Sequence, residues 1–161
     1  MANRIDYVEA LRLPLRAAIA AGLAVGFAMA FSLGSPLYAL VSAVIVCDLD
    51  AGQTRKLAVP RMIGTLIGAT SGCLATLLMK PGPLSVTIGV LLPMFACQLF
   101  RQPAAAKVAG YVSGIIILSF ATDPWIHARD RLVETLVGIL AAAAVSAVPP
   151  LVKAAKKDGG P

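Results

Sequence analysis

Residues 61–68 and 131–138 share one pattern, Arg-x-x-x-Thr-Leu-x-Gly, seventy positions apart, and each copy opens a long apolar run. This is an internal repeat. Six apolar stretches can be drawn: Ala17–Leu33, Pro36–Leu49, Met62–Met79, Pro83–Phe100, Ala104–Ala121 and Leu132–Val148. Each copy of the motif falls in the third stretch of its half. An odd number of crossings per half reverses the second copy across a bilayer, so the expected fold is an all-α integral membrane protein of six transmembrane helices in two inverted three-helix repeats.

Composition agrees with that plan. The chain is 58% apolar and only 14% charged, against about 25% charged in an average soluble protein. At roughly 20 residues per crossing, six helices use most of the 161 residues. The expected division is a cytoplasmic N-terminal segment (1–16), a transmembrane domain (17–152) and a basic cytoplasmic tail (153–161). Residues 1–16 read as a short amphipathic surface helix running to Pro14, with Ile5, Val8 and Leu11 on one side. A cleaved signal peptide fits the first apolar run poorly, because that run is too long and Leu37 occupies a position where a small residue is needed.

The cations divide unequally between the two sides. Arg4, Arg12, Arg16, Arg55, Lys56, Arg61, Arg101, Lys107, Lys153, Lys156 and Lys157 fall on one, and Lys80, Arg129 and Arg131 on the other. Eleven against three puts both termini in the cytoplasm of a multi-pass inner (plasma) membrane protein. Tyr38 and Trp125 then lie near the outer interface. The same split accounts for the basic isoelectric point without nucleic acid as a partner. Cys47, Cys73 and Cys97 sit on separate apolar segments without metal spacing and read as small apolar residues.

Small residues recur every four positions: Ala18, Gly22, Gly26 and Ala30; Gly64, Gly68 and Gly72; Ala106, Gly110 and Gly114; Gly138, Ala142 and Ser146. Such stripes let helix backbones approach where lipid removes the hydrophobic drive. They serve either packing within one chain or, for one of them, contact between subunits. The second and fifth segments are short, which points either to helix ends at a midplane binding site or to a locally thin bilayer or a helix extended by its polar flanks. Pro93 should free a carbonyl in the fourth helix. Short outer links at Gly34-Ser35 and Lys80-Pro81-Gly82 contrast with longer loops expected at Asp50–Pro60 and Thr122–Asp130.

Enzymatic constellations are absent. The single histidine, His127, falls in an expected loop, and there is no metal-ligand spacing, phosphate-binding loop or nucleophile elbow. No cofactor or metal is implied. Candidate substrate- or proton-pathway residues are the polar groups at helix ends: Asp48, Arg61, Gln98, Lys107, Arg131 and Glu134, with Arg101 beside them. Arg131 and Glu134, three apart, can pair on one helical face, and Asp48 and Arg61 can pair across the inner loop. Each pair either anchors a helix end or marks a pathway. Glu134, read as one turn inside its helix, is the candidate for a coupling carboxyl. Gln98 is either an interhelical hydrogen bonder or a substrate contact.

Arg16-Ala17-Ala18-Ile19, the run Ser35–Val44, Gly52-Gln53-Thr54 leading to Arg61–Ala69, and Arg131–Gly138 together resemble the membrane unit of the fusaric acid resistance and aromatic acid exporter family. The resemblance spans about residues 12–148. It implies efflux of aromatic carboxylic acids and related toxic compounds, driven by an ion gradient and not by ATP. The residues themselves suggest alternating access, in which a small organic anion meets positive helix N-termini at the short second and fifth helices while Glu134 or Asp48 exchanges a proton. Larger family members carry two such units and a helical cytoplasmic region, so a single unit implies a homodimer or another partner. The alternative is a non-transporting membrane subunit or scaffold.

Overall fold

A computed structural model of the protein describes residues 7–119 and 123–148. The tail 153–161 and residues 1–6 of the N-terminal segment lie outside the described residues. Among the described residues six helices follow one another: α1 (Tyr7–Ala30), α2 (Pro36–Val46), α3 (Ala51–Leu78), α4 (Pro83–Leu99), α5 (Pro103–Leu118) and α6 (Pro124–Ser146).

Two helices begin earlier than hydropathy suggests, each for a local reason. α3 starts at Ala51 because the Asp50 carboxylate accepts the N–H of Gln53 at 3.1 Å, a side-chain cap for an otherwise unpaired donor. The expected loop Asp50–Pro60 is therefore mostly helix. α6 starts at Pro124, where Asp123 accepts the N–H groups of Trp125 and Ile126 and the proline supplies a first helical residue that needs no partner for its nitrogen. So the loop expected up to Asp130 is largely helix too. The surface helix expected to end at Pro14 continues into the first apolar segment. Pro14 removes one hydrogen bond, but it is exposed, so its ring displaces no packed neighbour.

The links α1–α2 and α4–α5 close in the same way. Ser32 (φ 48°) and Arg101 (φ 56°) take the left-handed conformation, and the following residues donate back five positions, Leu33 N–H to Ala28 O and Gln102 N–H to Cys97 O. This closure ends a helix by satisfying its last carbonyls.

Helices α1, α2 and α6 pack around Ala20, Ala24, Ala28, Ala39, Ala43 and Ala142. Helices α3, α4 and α5 pack around two adjoining clusters containing Ala69, Cys73, Cys97, Ala105 and Ala109. α3 against α6 joins the two groups. The interior is small and polar, holding Arg16, Arg61 and Glu134 along with these alanines, while Leu23, Phe27, Leu74, Leu91, Phe95 and Leu140 face outward. A soluble protein has the reverse arrangement; a bundle immersed in lipid has this one. Among the described residues two helices, over Ala10–Ala30 and Ala51–Leu78, are long and apolar enough on their own to cross a membrane, and α2, α4 and α5 are apolar but shorter.

Candidate functional site

Both motif arginines lie well inside their helices, not at helix starts. Arg131 is seven residues into α6, and Glu134 ten. At 1.5 Å per residue Glu134 is about 15 Å from the first turn and about 18 Å from the last. Glu134 is almost fully buried, and its Oε1 accepts the backbone N–H of Ser35. Ser35 is the N-cap of α2 and offers no side-chain cap of its own. The N-terminus of the short α2 therefore opens onto the middle of α6, with a carboxylate where the helix dipole is positive. The 11 residues of α2 span about 16 Å, close to the length of α6 that remains beyond Glu134.

The Arg131–Glu134 ion pair expected from their spacing does not form within 4.0 Å. Arg131 instead lays its guanidinium over the ring of Tyr38 on α2, a cation–π contact, and its Nη1 is buried without a hydrogen-bond partner. Ser35 and Glu134 satisfy each other, so each group finds its direct contact on α2 and not along α6. These groups line a pocket of about 200 Å³ bounded by Gly34, Ser35 and Tyr38, by Ser119 at the end of α5, and by His127, Asp130, Arg131 and Glu134 of α6.

Arg61 is likewise buried. Its Nε and Nη2 donate to Ser42 Oγ on α2 at 3.3 and 3.2 Å, and its Nη1 donates to the hydroxyl of Tyr111 on α5. The guanidinium carbon stands 5.4 Å from the Tyr111 ring centre. The expected Asp48–Arg61 link is absent. Asp48 is engaged by Arg16, whose Nη1 donates to the carbonyls of Asp48 and Leu49 at 3.1 and 2.6 Å. Thus two arginines seventy residues apart converge on one face of α2, through Tyr38 and Ser42, one helical turn apart. Each also lies over a tyrosine carried by a short helix, Tyr38 of α2 or Tyr111 of α5.

The sequence pattern of the fusaric acid resistance protein-like family matches residues 22–145. The chain belongs to this family. No curated protein and no solved structure matches it. The family and the apolar exterior make this fusaric acid resistance-like chain a membrane protein. The matched span holds both motif copies, both tyrosines and Ser42, and leaves Arg16 outside.

The remaining pathway candidates of this fusaric acid resistance-like protein lie elsewhere. Gln98 and Lys107 are exposed, and Gln98 borders an apolar groove on α4 with Met94 and Phe95. Asp48 is half-buried; its Oδ1 accepts the Asp50 N–H. Arg101 is exposed in the α4–α5 link. None of these reaches the pocket beside Glu134. At the opposite end of the bundle, Thr54 Oγ1 and Ser146 Oγ lie 2.9 Å apart and hold the Asp48 backbone, so Arg16 completes a polar knot joining α1, α2, α3 and α6. Sequence reasoning overlooked Arg16, Tyr38 and Tyr111. For Tyr38 and Tyr111 the available signal was a tyrosine in a run too short to span.

Of the small-residue stripes, those on α3 and α6 meet backbone. A Cβ on Gly68 would overlap the Ala109 carbonyl oxygen and stand 2.9 Å from its Cα; on Gly64 it would lie 2.6 Å from Ala105 O; on Gly72 it would lie 3.0 Å from Ser113 O. A Cβ on Gly138 would overlap Ala39 O and stand 2.6 Å from Ser42 Cβ. Gly110 faces the flexible Met94 side chain, and Gly114 has ordinary clearance of 3.5 Å to Val90. Gly22 and Gly26 depart from expectation: they are exposed with nothing within 4 Å. α1 is lined with small residues on several sides, and the buried row is Arg16, Ala20, Ala24 and Ala28, because the Arg16 contacts to α2 fix that face inward.

Proposed function

We propose that the protein exports small organic anions, aromatic carboxylates among them, across the inner membrane by alternating access coupled to an ion gradient. The observation that carries this reading is the convergence of Arg61 and Arg131 on Tyr38 and Ser42 of α2. A guanidinium over an aromatic ring gives a flat surface for an aromatic anion and a fixed positive charge for its carboxylate. The unpartnered Nη1 of Arg131 and the adjoining pocket of about 200 Å³ supply a free donor and a space next to it.

Two inverted three-helix halves, spanning six times with both termini in the cytoplasm, suit this mechanism. The contact pattern supports them: α2 lies on α6 as α5 lies on α3, and α1 lies on α6 as α4 lies on α3. The matched closures at Ser32 and Arg101 point the same way. In this scheme Arg61–Tyr111 serves the cytoplasmic half of the path and Arg131–Tyr38 the outer half. A homodimer follows if the outward stripe of Ala18, Gly22 and Gly26 seats a second copy.

Purified protein in vesicles should move radiolabelled benzoate when a proton gradient is imposed. Arg61→Gln and Arg131→Gln should each lower that flux by about tenfold or more, since each removes a charge-assisted contact of roughly 1.5–3 kcal/mol. Absence of gradient-dependent flux for benzoate and for larger aromatic carboxylates, together with a stable complex with another membrane protein, would replace export with a scaffold role. Reporter fusions after residue 161 should behave as cytoplasmic; an external C-terminus would overturn the six-span arrangement.

A further inference from the structure

We infer that His127 and Asp130 carry protons from the surface of the protein to Glu134 along one stripe of α6. The inference rests on the export reading for its purpose, but its geometry stands apart. His127, Asp130 and Glu134 are three and four residues apart, so they share one helical face, and all three line the same pocket. His127 is exposed, Asp130 partly exposed and Glu134 buried, so the stripe runs inward from the surface over about 10 Å of helix.

Each member has a free atom where one is needed. Asp130 Oδ1 is taken by Arg129 at 3.1 Å, while Oδ2 faces the α1–α2 link, 3.0 Å from where a Cβ on Gly34 would stand. Glu134 Oε1 is taken by the Ser35 N–H, which leaves Oε2 to receive a proton. A pocket of about 200 Å³ is large enough for several waters at roughly 30 Å³ each, and these can span the gaps between the side chains. The groups that face Glu134 are Arg131, Asp130 and His127 of α6, the phenol of Tyr38 on α2 and the uncharged Ser119 of α5. Arg131 opposes protonation, but it lies over Tyr38 instead of pairing with Glu134, so the carboxylate is not locked in an ion pair.

The step is simple proton transfer. The His127 imidazole takes a proton from bulk water, a role open to a ring with one nitrogen that accepts and one that donates. The imidazolium gives it up through pocket water and the Asp130 carboxylate to Glu134 Oε2. His127 returns to its neutral form, and one proton has moved from bulk to Glu134.

The test is infrared difference spectroscopy of the full chain in lipid after a downward pH jump. Wild type should show a protonated-carboxyl band that Glu134→Gln lacks. In His127→Gln the band should reach the same final amplitude but rise more slowly by about tenfold or more, and added imidazole should restore the rate. A band that rises at the wild-type rate in His127→Gln, or one that survives in Glu134→Gln, overturns the proposal. The measurement needs no transported substrate, so a slowed band without flux of benzoate or of larger aromatic carboxylates, in a chain held in a stable complex with another membrane protein, would reject export and keep the proton route. Normal flux with an unslowed band would do the opposite.

Discussion

Gly68→Leu should all but abolish folded protein, and Gly68→Ala alone should cost about 2–3 kcal/mol, because overpacking is relieved only by moving backbone. The added Cβ meets the carbonyl and Cα of Ala109, which belong to a helix and cannot rotate away as a side chain would. α3 and α5 would have to separate along the length where Gly64 and Gly72 also touch α5. Gly138→Ala should behave alike, since Ala39 O and Ser42 Cβ stand in the same relation to α6. Gly110→Ala should cost less, because Met94 can move aside, and Gly114→Ala should be nearly neutral. Gly22→Leu should leave folded yield unchanged, since nothing lies within 4 Å. Detergent-resistant folded fraction across this series checks the ranking. A Gly68→Ala protein as stable as Gly22→Ala would mean that the α3–α5 approach is looser than described.

The sequence showed some of this order and hid the rest for identifiable reasons. Apolar runs revealed all six helices because lipid-facing helices need continuous hydrophobicity, and the motif spacing brought out Arg61, Arg131, Gly68 and Gly138. Helix starts were missed at Ala51 and Pro124 because polar and charged residues break the apolar run within the first two turns, Gln53 to Lys56 in α3 and His127 to Arg131 in α6. Asp50 and Asp123 would have flagged them, since each is a capping residue followed by helix-compatible sequence. The choice of inward face on α1 was not legible, because small residues surround that helix and a long-range contact of Arg16 decides it. The partners of the buried charges were also hidden. Spacing along one helix suggested Arg131–Glu134, yet both groups turn to α2, whose Ser35 N–H and Tyr38 ring are better placed than each other's side chains. Local periodicity carries no information on such cross-helix competition.

Replacing Glu134 separates its two duties. Glu134→Leu takes the carboxylate acceptor away from the half-buried Ser35 N–H and removes a negative charge from the positive end of α2. The first costs about 1–3 kcal/mol and the second up to about 2 kcal/mol in a buried setting, so folded yield should fall sharply. Glu134→Gln keeps an amide oxygen of the same reach to accept that N–H, so this variant should fold like the wild type. What it loses is the ability to bind and release a proton. Benzoate exchange between vesicles and medium without a gradient should then persist, while uphill export driven by a proton gradient should fall by about tenfold or more, as expected when a general acid–base group is removed. The position equivalent to Glu134 in the first motif is Gly64, so no second carboxylate stands in the matching place to replace it. Unchanged gradient-driven export in Glu134→Gln would leave the residue with only its structural duty at the start of α2. Equal loss of exchange and of uphill export would instead assign it to substrate binding.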